Sequence, residues 1–193
     1  MFIELFFPTV IGVSDFDKAD QIEKQYYPYL QNLKNKYSRN GTFCYYEVHK
    51  DPFFKELTNW ITGEVNKFSD KFNFTDTYIP VESWFNEYTK GTHQSVHRHA
   101  GSVFSAVYYL KGSENGARFV FKTPLPFDNK NPENNSVKKN NESHLNQFSW
   151  TSASYAPKKG RLLMFRSFLE HSTDTVGDER EQRLAISFTF DKK

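Results

Sequence analysis

Arg183-Leu184-Ala185-Ile186-Ser187-Phe188-Thr189-Phe190 alternates without interruption between two kinds of residue. Its even-numbered positions carry large apolar side chains, and its odd-numbered positions carry Arg, Ala, Ser and Thr. Because successive side chains of an extended chain point to opposite faces, one face of this segment is apolar and the other is small or polar. The pattern predicts a β-strand that packs on a core through its even-numbered face.

Five further runs from residue 78 onward are short, rich in aromatic or β-branched residues, and separated by turn residues. Short strands at such intervals predict an all-β pattern of barrel or jelly-roll type. The five runs are residues 83–88, 103–110, 117–121, 148–155 and 161–165.

In the N-terminal part, apolar residues recur every three to four positions, as in a helix. We expect a short apolar strand at about residues 2–13, then a helix that Ser14 caps, Pro28 kinks or splits, and Gly41 ends. A second helix is expected after Pro52. The apolar positions at helical spacing are Ile22, Tyr26, Leu30, Leu33 and Tyr37 in the first helix, and Phe54, Leu57, Ile61, Val65, Phe68 and Phe72 in the second.

The chain of 193 residues has the size of one domain. We expect a helical support at about residues 14–75 and a β core at about 78–193. With 20 Phe, 11 Tyr and 3 Trp, that core should be rich in aromatic side chains. A segment at about 123–147, rich in Pro and Asn, lacks the apolar residues to fold by itself and is either a lid over a site or a solvated insertion.

Charge and cysteine content exclude some classes of protein. A net charge of +2 is too small to indicate nucleic-acid binding. The single cysteine, Cys44, cannot form an internal disulfide, which fits a reducing compartment. The apolar start lacks a basic region, and no apolar run is long enough to span a membrane. We therefore expect a soluble, cytoplasmic protein with no membrane partner; its oligomeric state, a homodimer included, stays open.

Histidines cluster in residues 91–101, where three of the six in the chain lie within seven positions. In an extended segment His97 and His99 face the same side, so both can contact one ion, whereas His93 does not reach it. His171, just past a predicted strand, can complete a set of three that leaves coordination positions open, as catalytic metals require. The alternative is three hydrogen-bonded histidines without a metal.

Arg183 lies on the face opposite the large apolar residues of its strand. An arginine so placed is usually a solvated charge. Its functional alternative is a bidentate clamp on a carboxylate inside the mouth of the barrel.

Taken together, the order of these motifs resembles the 2-oxoglutarate/Fe(II) oxygenase superfamily, and more narrowly its small members related to prolyl hydroxylases. The likeness covers nearly the whole chain. It is carried by Phe6-Phe7-Pro8, Trp84-Phe85-Asn86, Gly91, the His-x-His of His97 and His99, Ser105-Ala106-Val107-Tyr108-Tyr109-Leu110, the stretch from Pro157 to Phe165, His171 and Arg183.

This resemblance implies a mainly β fold, a double-stranded β-helix (jelly-roll, cupin-like) core with N-terminal helices packed on one sheet. It also implies a hydroxylase that uses Fe(II), 2-oxoglutarate and O₂ on a small-molecule or peptide substrate, with a prolyl residue as the preferred substrate. The implied metal ligands are His97, His99 and His171, and the implied 2-oxoglutarate residues are Arg183, Tyr109, Ser105, Ser187 and Asn86.

Position 99 departs from the usual pattern, since most of the superfamily has Asp or Glu there. A neutral imidazole leaves the site one unit more positive. In the alternative arrangement, similar to that of halogenases, His99 is the first ligand and Gly101 stands at the carboxylate position. Ala185 also replaces a serine that many members have.

Two rival interpretations remain. One is a cupin-like module that binds a metal or carbohydrate without turnover. The other is a degenerate member that keeps the fold and binds no iron. The substrate and the biological role do not follow from the sequence.

Overall fold

The computed structural model describes residues 8–37, 44–124, 151–178 and 183–193, together with Phe2 and Glu4. These residues form two α-helices, two short 3₁₀ turns and nine strands. The helices are α1 (Ala19–Tyr37) and α2 (Lys55–Asp70), and the turns are Val48–Lys50 and Pro52–Phe54. The strands are β1 (Ile11–Asp15), β2 (Cys44–Tyr46), β3 (Tyr78–Tyr88), β4 (Phe104–Lys111), β5 (Phe119–Lys122), β6 (Ser152–Tyr155), β7 (Arg161–Arg166), β8 (His171–Thr173) and β9 (Arg183–Lys192).

The strands form two antiparallel sheets. The larger has the order β1-β7-β4-β9-β3-β2, and the smaller has the order β6-β5-β8. Neighbours in the larger sheet are distant in sequence, as a jelly roll requires, with β4 lying between β7 and β9. The expected mainly β, jelly-roll fold is confirmed.

Two apolar clusters lie on opposite faces of the larger sheet. The even-numbered side chains of β9, from Leu184 to Phe190, join those of both helices in the first cluster. The odd-numbered face of the sheet meets the smaller sheet in a second cluster that includes Tyr109, Phe119, Phe165 and Ala185. Burying each of these aromatic side chains stabilises the fold by about 2–3 kcal/mol. The helices thus support the sheet from outside, and the space between the two sheets is left for a site.

Three expectations for the N-terminal part were wrong. The first described strand is Ile11–Asp15, and among the described residues before it Phe2, Glu4 and residues 8–10 lie outside any strand. Ser14 caps no helix; it lies in β1, and its hydroxyl donates a 2.6 Å hydrogen bond to Glu64. Finally, Pro28 does not split the first helix, because α1 continues through it; a kink at this position stays a prediction. The burial of its apolar face at Ile22, Tyr26 and Leu30 offsets the one backbone hydrogen bond that proline removes.

Other expectations hold with changed boundaries. The second helix follows Pro52, and its apolar stripe is buried from Phe54 to Phe68, while Phe72 lies past the helix end. β3 begins at Tyr78 and includes a bulge between Pro80 and Glu82. The expected helix end at Gly41 and residues 125–147 of the polar segment lie outside the described residues. None of the described helices is long and apolar enough to cross a membrane.

Candidate active site

Two of the predicted metal ligands are placed by backbone pairing. His97 and His171 form an isolated antiparallel bridge, with N–H to O distances of 2.9 Å in both directions. The same segment is fixed to β8 at Gln94, whose backbone N–H donates to the Thr173 hydroxyl at 2.8 Å. The loop from Gly91 therefore lies along the smaller sheet and carries its histidines to the space between the sheets.

The third histidine is brought to the same point from the other side. The backbone N–H of His99 donates to the Ser167 carbonyl at 3.0 Å. Ligand atoms of His97, His99 and His171 all lie within 4.8 Å of one another. Imidazoles bound at right angles to one ion at about 2.1 Å are about 3 Å apart, so small side-chain rotations suffice. His93 is exposed and does not belong to this group.

Hydrogen bonds select which ring nitrogen of two histidines is available. Nδ1 of His97 lies 2.8 Å from the Ser95 carbonyl, and Nδ1 of His171 lies 2.8 Å from the Leu169 carbonyl. A carbonyl only accepts, so each Nδ1 carries the proton and each Nε2 keeps a lone pair for a metal. Within the described residues the His99 ring makes no hydrogen bond; it packs on the Trp84 indole, with ring centroids 5.4 Å apart, and on the rings of His97 and His171.

Burial keeps the imidazoles in the form that binds metals. Desolvation lowers the pKa of His171 to about 4, with the neighbouring His97 and His99 acting in the same direction. Desolvation also lowers the pKa of His99, and His97 again adds to the effect. Both rings are therefore neutral at pH 7.

A pocket opens beside the three histidines. Among the predicted cofactor residues, Ser105, Ser187 and Asn86 line it. In the larger sheet Ser187 is directly opposite Trp84 on one side and Val107 on the other, so these three side chains form one row of the pocket wall. Trp84 is half-buried and belongs to this wall.

Arg183 and Tyr109 lie deeper between the sheets, and neither is among the described residues that line the pocket. Arg183 is 1% exposed, its Nη1 donates to the Ala117 carbonyl at 2.9 Å, and its guanidinium carbon lies 4.0 Å from the Tyr88 ring centroid. Tyr88 does line the pocket. The solvated-charge alternative for Arg183 is wrong, because this side chain is enclosed at the inner end of the site.

The hydroxyl of Tyr109 is buried and has no hydrogen-bond partner in the described part of the chain. Desolvation raises the pKa of this phenol above its usual range. It therefore stays protonated at neutral pH and is a donor without an acceptor. An unsatisfied buried hydroxyl costs about 1–3 kcal/mol, which a bound acceptor would recover.

Ser105 is part of a buried chain of hydroxyls. Its Oγ lies 2.8 Å from that of Ser167, and Ser102 donates to Ser167 at 2.9 Å. Because the Ser167 carbonyl accepts from His99, this chain supports the third histidine.

Sequence reasoning missed Ser167, Tyr88, Gln94 and Thr173. Tyr88 had a usable signal, since it shares strand parity with Trp84 and Asn86. Ser167 and Thr173 had none, because their positions follow from long-range pairing.

Comparison with known families identifies the chain. The family model described as "Putative 2OG-Fe(II) oxygenase" matches residues 82–189, more than half of the sequence. This match includes all three histidines and Arg183. Comparison with curated proteins finds no match.

Solved structures support the same fold at low sequence identity. A prolyl-4-hydroxylase from Pseudomonas putida is similar, with a TM-score of 0.63, 13% identity, and coverage of 96% of this chain and 94% of that one. HygX from Streptomyces hygroscopicus, solved with nickel and 2-oxoglutarate, has a TM-score of 0.66, 15% identity, and coverage of 96% and 83%.

A third similar structure is SnoN, a non-heme alpha ketoglutarate dependent epimerase from nogalamycin biosynthesis. It has a TM-score of 0.68, 9% identity, and coverage of 95% of this chain and 79% of that one. The resemblance inferred from the sequence is confirmed, and the chain belongs to the 2OG-Fe(II) oxygenase family, a family of oxidoreductases that use iron and 2-oxoglutarate.

Proposed function

We propose that this protein is an Fe(II)- and 2-oxoglutarate-dependent dioxygenase that hydroxylates a C–H bond of a small molecule or peptide. In this proposal His97, His99 and His171 bind the iron, and Arg183 with Tyr109 holds the far carboxylate of 2-oxoglutarate. The observation that carries it is the joint presence, between the same two sheets, of a three-histidine cluster and a buried arginine beside a buried hydroxyl donor.

The donor set fits a divalent transition metal. Three neutral imidazoles suit iron, zinc, copper and nickel alike, and a facial set of three leaves positions for a chelating co-substrate and for O₂. Carbonyl hydrogen bonds already fix the tautomers of His97 and His171. Iron is chosen among these metals because of the family to which the chain belongs.

The inner end of the site fits a carboxylate. A planar guanidinium keeps its charge when buried and matches the geometry of a carboxylate, and Arg183 is enclosed by protein at this end of the site. Tyr109 is on the neighbouring strand, directly opposite Ala185, and its hydroxyl can donate to the same anion. The free volume of the pocket, about 40 Å³, holds an ion and little more. Binding of 2-oxoglutarate therefore requires wall side chains to move, foremost Tyr88, which covers Arg183.

When bound, iron and 2-oxoglutarate would supply the oxidising chemistry with O₂: one oxygen atom would go to succinate as 2-oxoglutarate loses CO₂, and the other to the substrate as its new hydroxyl group. The chain's own part is to bind and orient. Arg183 and Tyr109 fix one end of the co-substrate, and the three imidazoles fix the other through the metal. Phe119 and Phe165, which line the pocket, exclude water around the reacting atoms.

A prolyl residue is the substrate we favour for the first trials. The support is the similarity to a prolyl-4-hydroxylase over 96% of this chain, at 13% identity. Because fold similarity at this level does not fix a substrate, free proline, a proline-containing peptide and small cyclic amines should be tested in parallel.

The proposal is tested by adding Fe(II) and then 2-oxoglutarate under argon and recording the visible spectrum. We expect a weak charge-transfer band that needs both additions, and release of succinate once O₂ is admitted. Arg183→Gln should lose the band and the succinate while still binding metal. Metal bound tightly by the wild type without any band or succinate would instead favour a cupin-like binding module.

A further inference from the structure

A surface groove borders the three-histidine pocket. It has a volume of about 430 Å³ and shares Trp84, Asn86 and Gln94 with the pocket. Its other lining residues are Glu47, His49, Val81, Glu82 and Ser83. Since a substrate must reach the histidines from outside, a groove that shares three wall residues with the pocket is a direct route.

Apart from His49, the ionisable side chains of this groove are acidic. Glu47 and Glu82 are exposed carboxylates, and no Lys or Arg lines the groove among the described residues. His49 adds no charge at pH 7, because burial lowers its pKa. The Glu47 carboxylate already accepts a cation, since Lys50 lies 2.6 Å from it at a site where both side chains are more than 60% exposed. Such an exposed pair is weak, so an incoming cation can replace Lys50.

An aromatic wall connects the carboxylates to the metal ligands. Trp84 lines both the groove and the pocket, and its ring packs on His99. Indole faces attract ammonium and guanidinium groups, the more so when carboxylates stand nearby. The metal centre does not oppose this, since a ferrous ion with three neutral imidazoles and a 2-oxoglutarate dianion has no net charge.

We propose that the substrate carries an alkyl ammonium or guanidinium group that lies in this groove, between Glu82 and Glu47 and against Trp84, while a carbon further along reaches the histidines. The binding of a cation is inferred from the groove alone. That this cation belongs to a substrate rests on the proposed function. A lysine or arginine side chain of a peptide and a free polyamine share this chemistry.

The groove on the other side of Glu82 is a weaker candidate. It has about 480 Å³ and borders His99, but Arg98 stands in it together with Glu82 and Asp191. Its charges are mixed, and it shares a single residue with the pocket. It therefore selects no class of ligand.

The test uses four probes, titrated by calorimetry into the metal-free protein and into the protein loaded with Fe(II) and 2-oxoglutarate under argon. Three are capped tripeptides with lysine, norleucine or glutamate at the centre, and the fourth is cadaverine. We expect the lysine peptide, cadaverine or both to bind at least tenfold more tightly than the norleucine and glutamate peptides. The relative affinities of the lysine peptide and cadaverine show whether the cation belongs to a peptide or to a free amine.

Variants tie the binding to the groove. Glu82→Gln and Glu47→Gln should each weaken binding of the cationic probe by about three- to fivefold, the effect of one exposed charge pair. Glu56→Gln is the matched control, because Glu56 is also exposed and paired with a lysine, Lys18 at 2.9 Å, but does not line the groove. It should leave binding unchanged. Metal and 2-oxoglutarate binding should be the same in all three variants.

Equal affinity for the lysine and norleucine peptides, or full cation affinity in both groove variants, would overturn the inference. So would a failure of both cationic probes to bind at about 10 mM, the limit of useful affinity. Failure of the proposed function is distinguishable, because it removes the visible band and the succinate but leaves Glu82-dependent cation binding by the metal-free protein.

Discussion

His97 and His171 exchange two backbone hydrogen bonds of 2.9 Å, one in each direction, although they come from distant parts of the chain. The bridge fixes both backbones, and the centroids of the two rings lie 4.2 Å apart. Preorganised ligands lose little freedom on binding, which strengthens metal affinity. The position of these two proposed ligands is therefore a consequence of strand pairing.

Removing one histidine of the cluster should remove the metal. We expect His171→Ala to weaken binding of Fe(II) or its substitute Ni(II) by at least about 100-fold, because one of three ligands is lost. His93→Ala is the matched control, since it deletes an exposed histidine of the same loop and should change affinity by less than about twofold. Calorimetry with Ni(II) measures both. Equal losses in the two variants would mean that the cluster is not the metal site.

Arg183 should matter for 2-oxoglutarate and not for the metal. Removal of one partner from a buried charge pair costs about 2–5 kcal/mol, so Arg183→Gln should weaken 2-oxoglutarate binding by at least about thirtyfold. Tyr109→Phe should cost about tenfold, the value of one hydrogen bond to a charged group. Calorimetry on the Ni(II)-loaded protein gives both numbers.

Two controls belong to this experiment. Ni(II) affinity should stay within about twofold of wild type in both variants. Thermal unfolding shows whether the loss of a buried charge has disturbed the fold, and Arg183→Lys, which keeps the charge but not the planar fork, offers a milder change. A parallel loss of metal and 2-oxoglutarate affinity would contradict the assigned role.

The fold could be predicted where the spacing of apolar side chains along the sequence shows which face of an element is buried. The strict alternation in β9 corresponds to two buried faces. One packs against the helices, and the other packs against the smaller sheet. β2 and β8 were missed, because three residues are too few to show a period. Ser14 misled because a serine before a helical pattern favours a cap, whereas tertiary pairing with β7 extended the strand through it.

The site was predictable in part for a similar reason. His97 and His99 could be predicted to lie together because residues two apart in any extended segment point to the same side. The role of Ser167 in holding His99 could not be foreseen, since it depends on a loop packed against another loop. Arg183 looked like a surface charge by local pattern, and only the second sheet, absent from local sequence, encloses it.

Acid should destabilise the metal-free protein through His171. Its pKa is lowered to about 4 in the folded state from an ordinary value of 6.5, so the unfolded state binds the proton first. Stability is therefore complete above about pH 6.5 and falls as the pH drops towards 4. Between pH 7.5 and 5 this group alone accounts for about 2 kcal/mol.

Urea unfolding of the metal-free protein at several pH values measures this effect. His171→Gln should flatten the dependence of the unfolding free energy on pH, leaving the smaller contribution of His99, whose pKa is lowered in the same direction. His93→Gln should keep the wild-type slope. Identical slopes for wild type and His171→Gln would show that the imidazole is already charged in the fold.

Two glycines outside the site test the packing that supports it. A methyl group at Gly112 would overlap the carbonyl oxygen of Pro157 and lie 2.8 Å from its carbonyl carbon. Both are backbone atoms just before the turn at Gly160, whose N–H donates to the Tyr109 carbonyl at 2.8 Å. Any shift of this segment strains the start of β7 beside β4, so Gly112→Ala should destabilise the protein by about 2–3 kcal/mol.

Gly63 is the matched control for the same substitution. It is exposed within α2, and a methyl group there has no neighbour within 4 Å. Alanine is the better helix former, so Gly63→Ala should stabilise by about 0.5–1 kcal/mol. Urea midpoints of the two variants should therefore move in opposite directions. A Gly112→Ala midpoint equal to wild type would mean that the 157–160 segment yields without cost and does not brace Tyr109, the residue that we assign to the co-substrate.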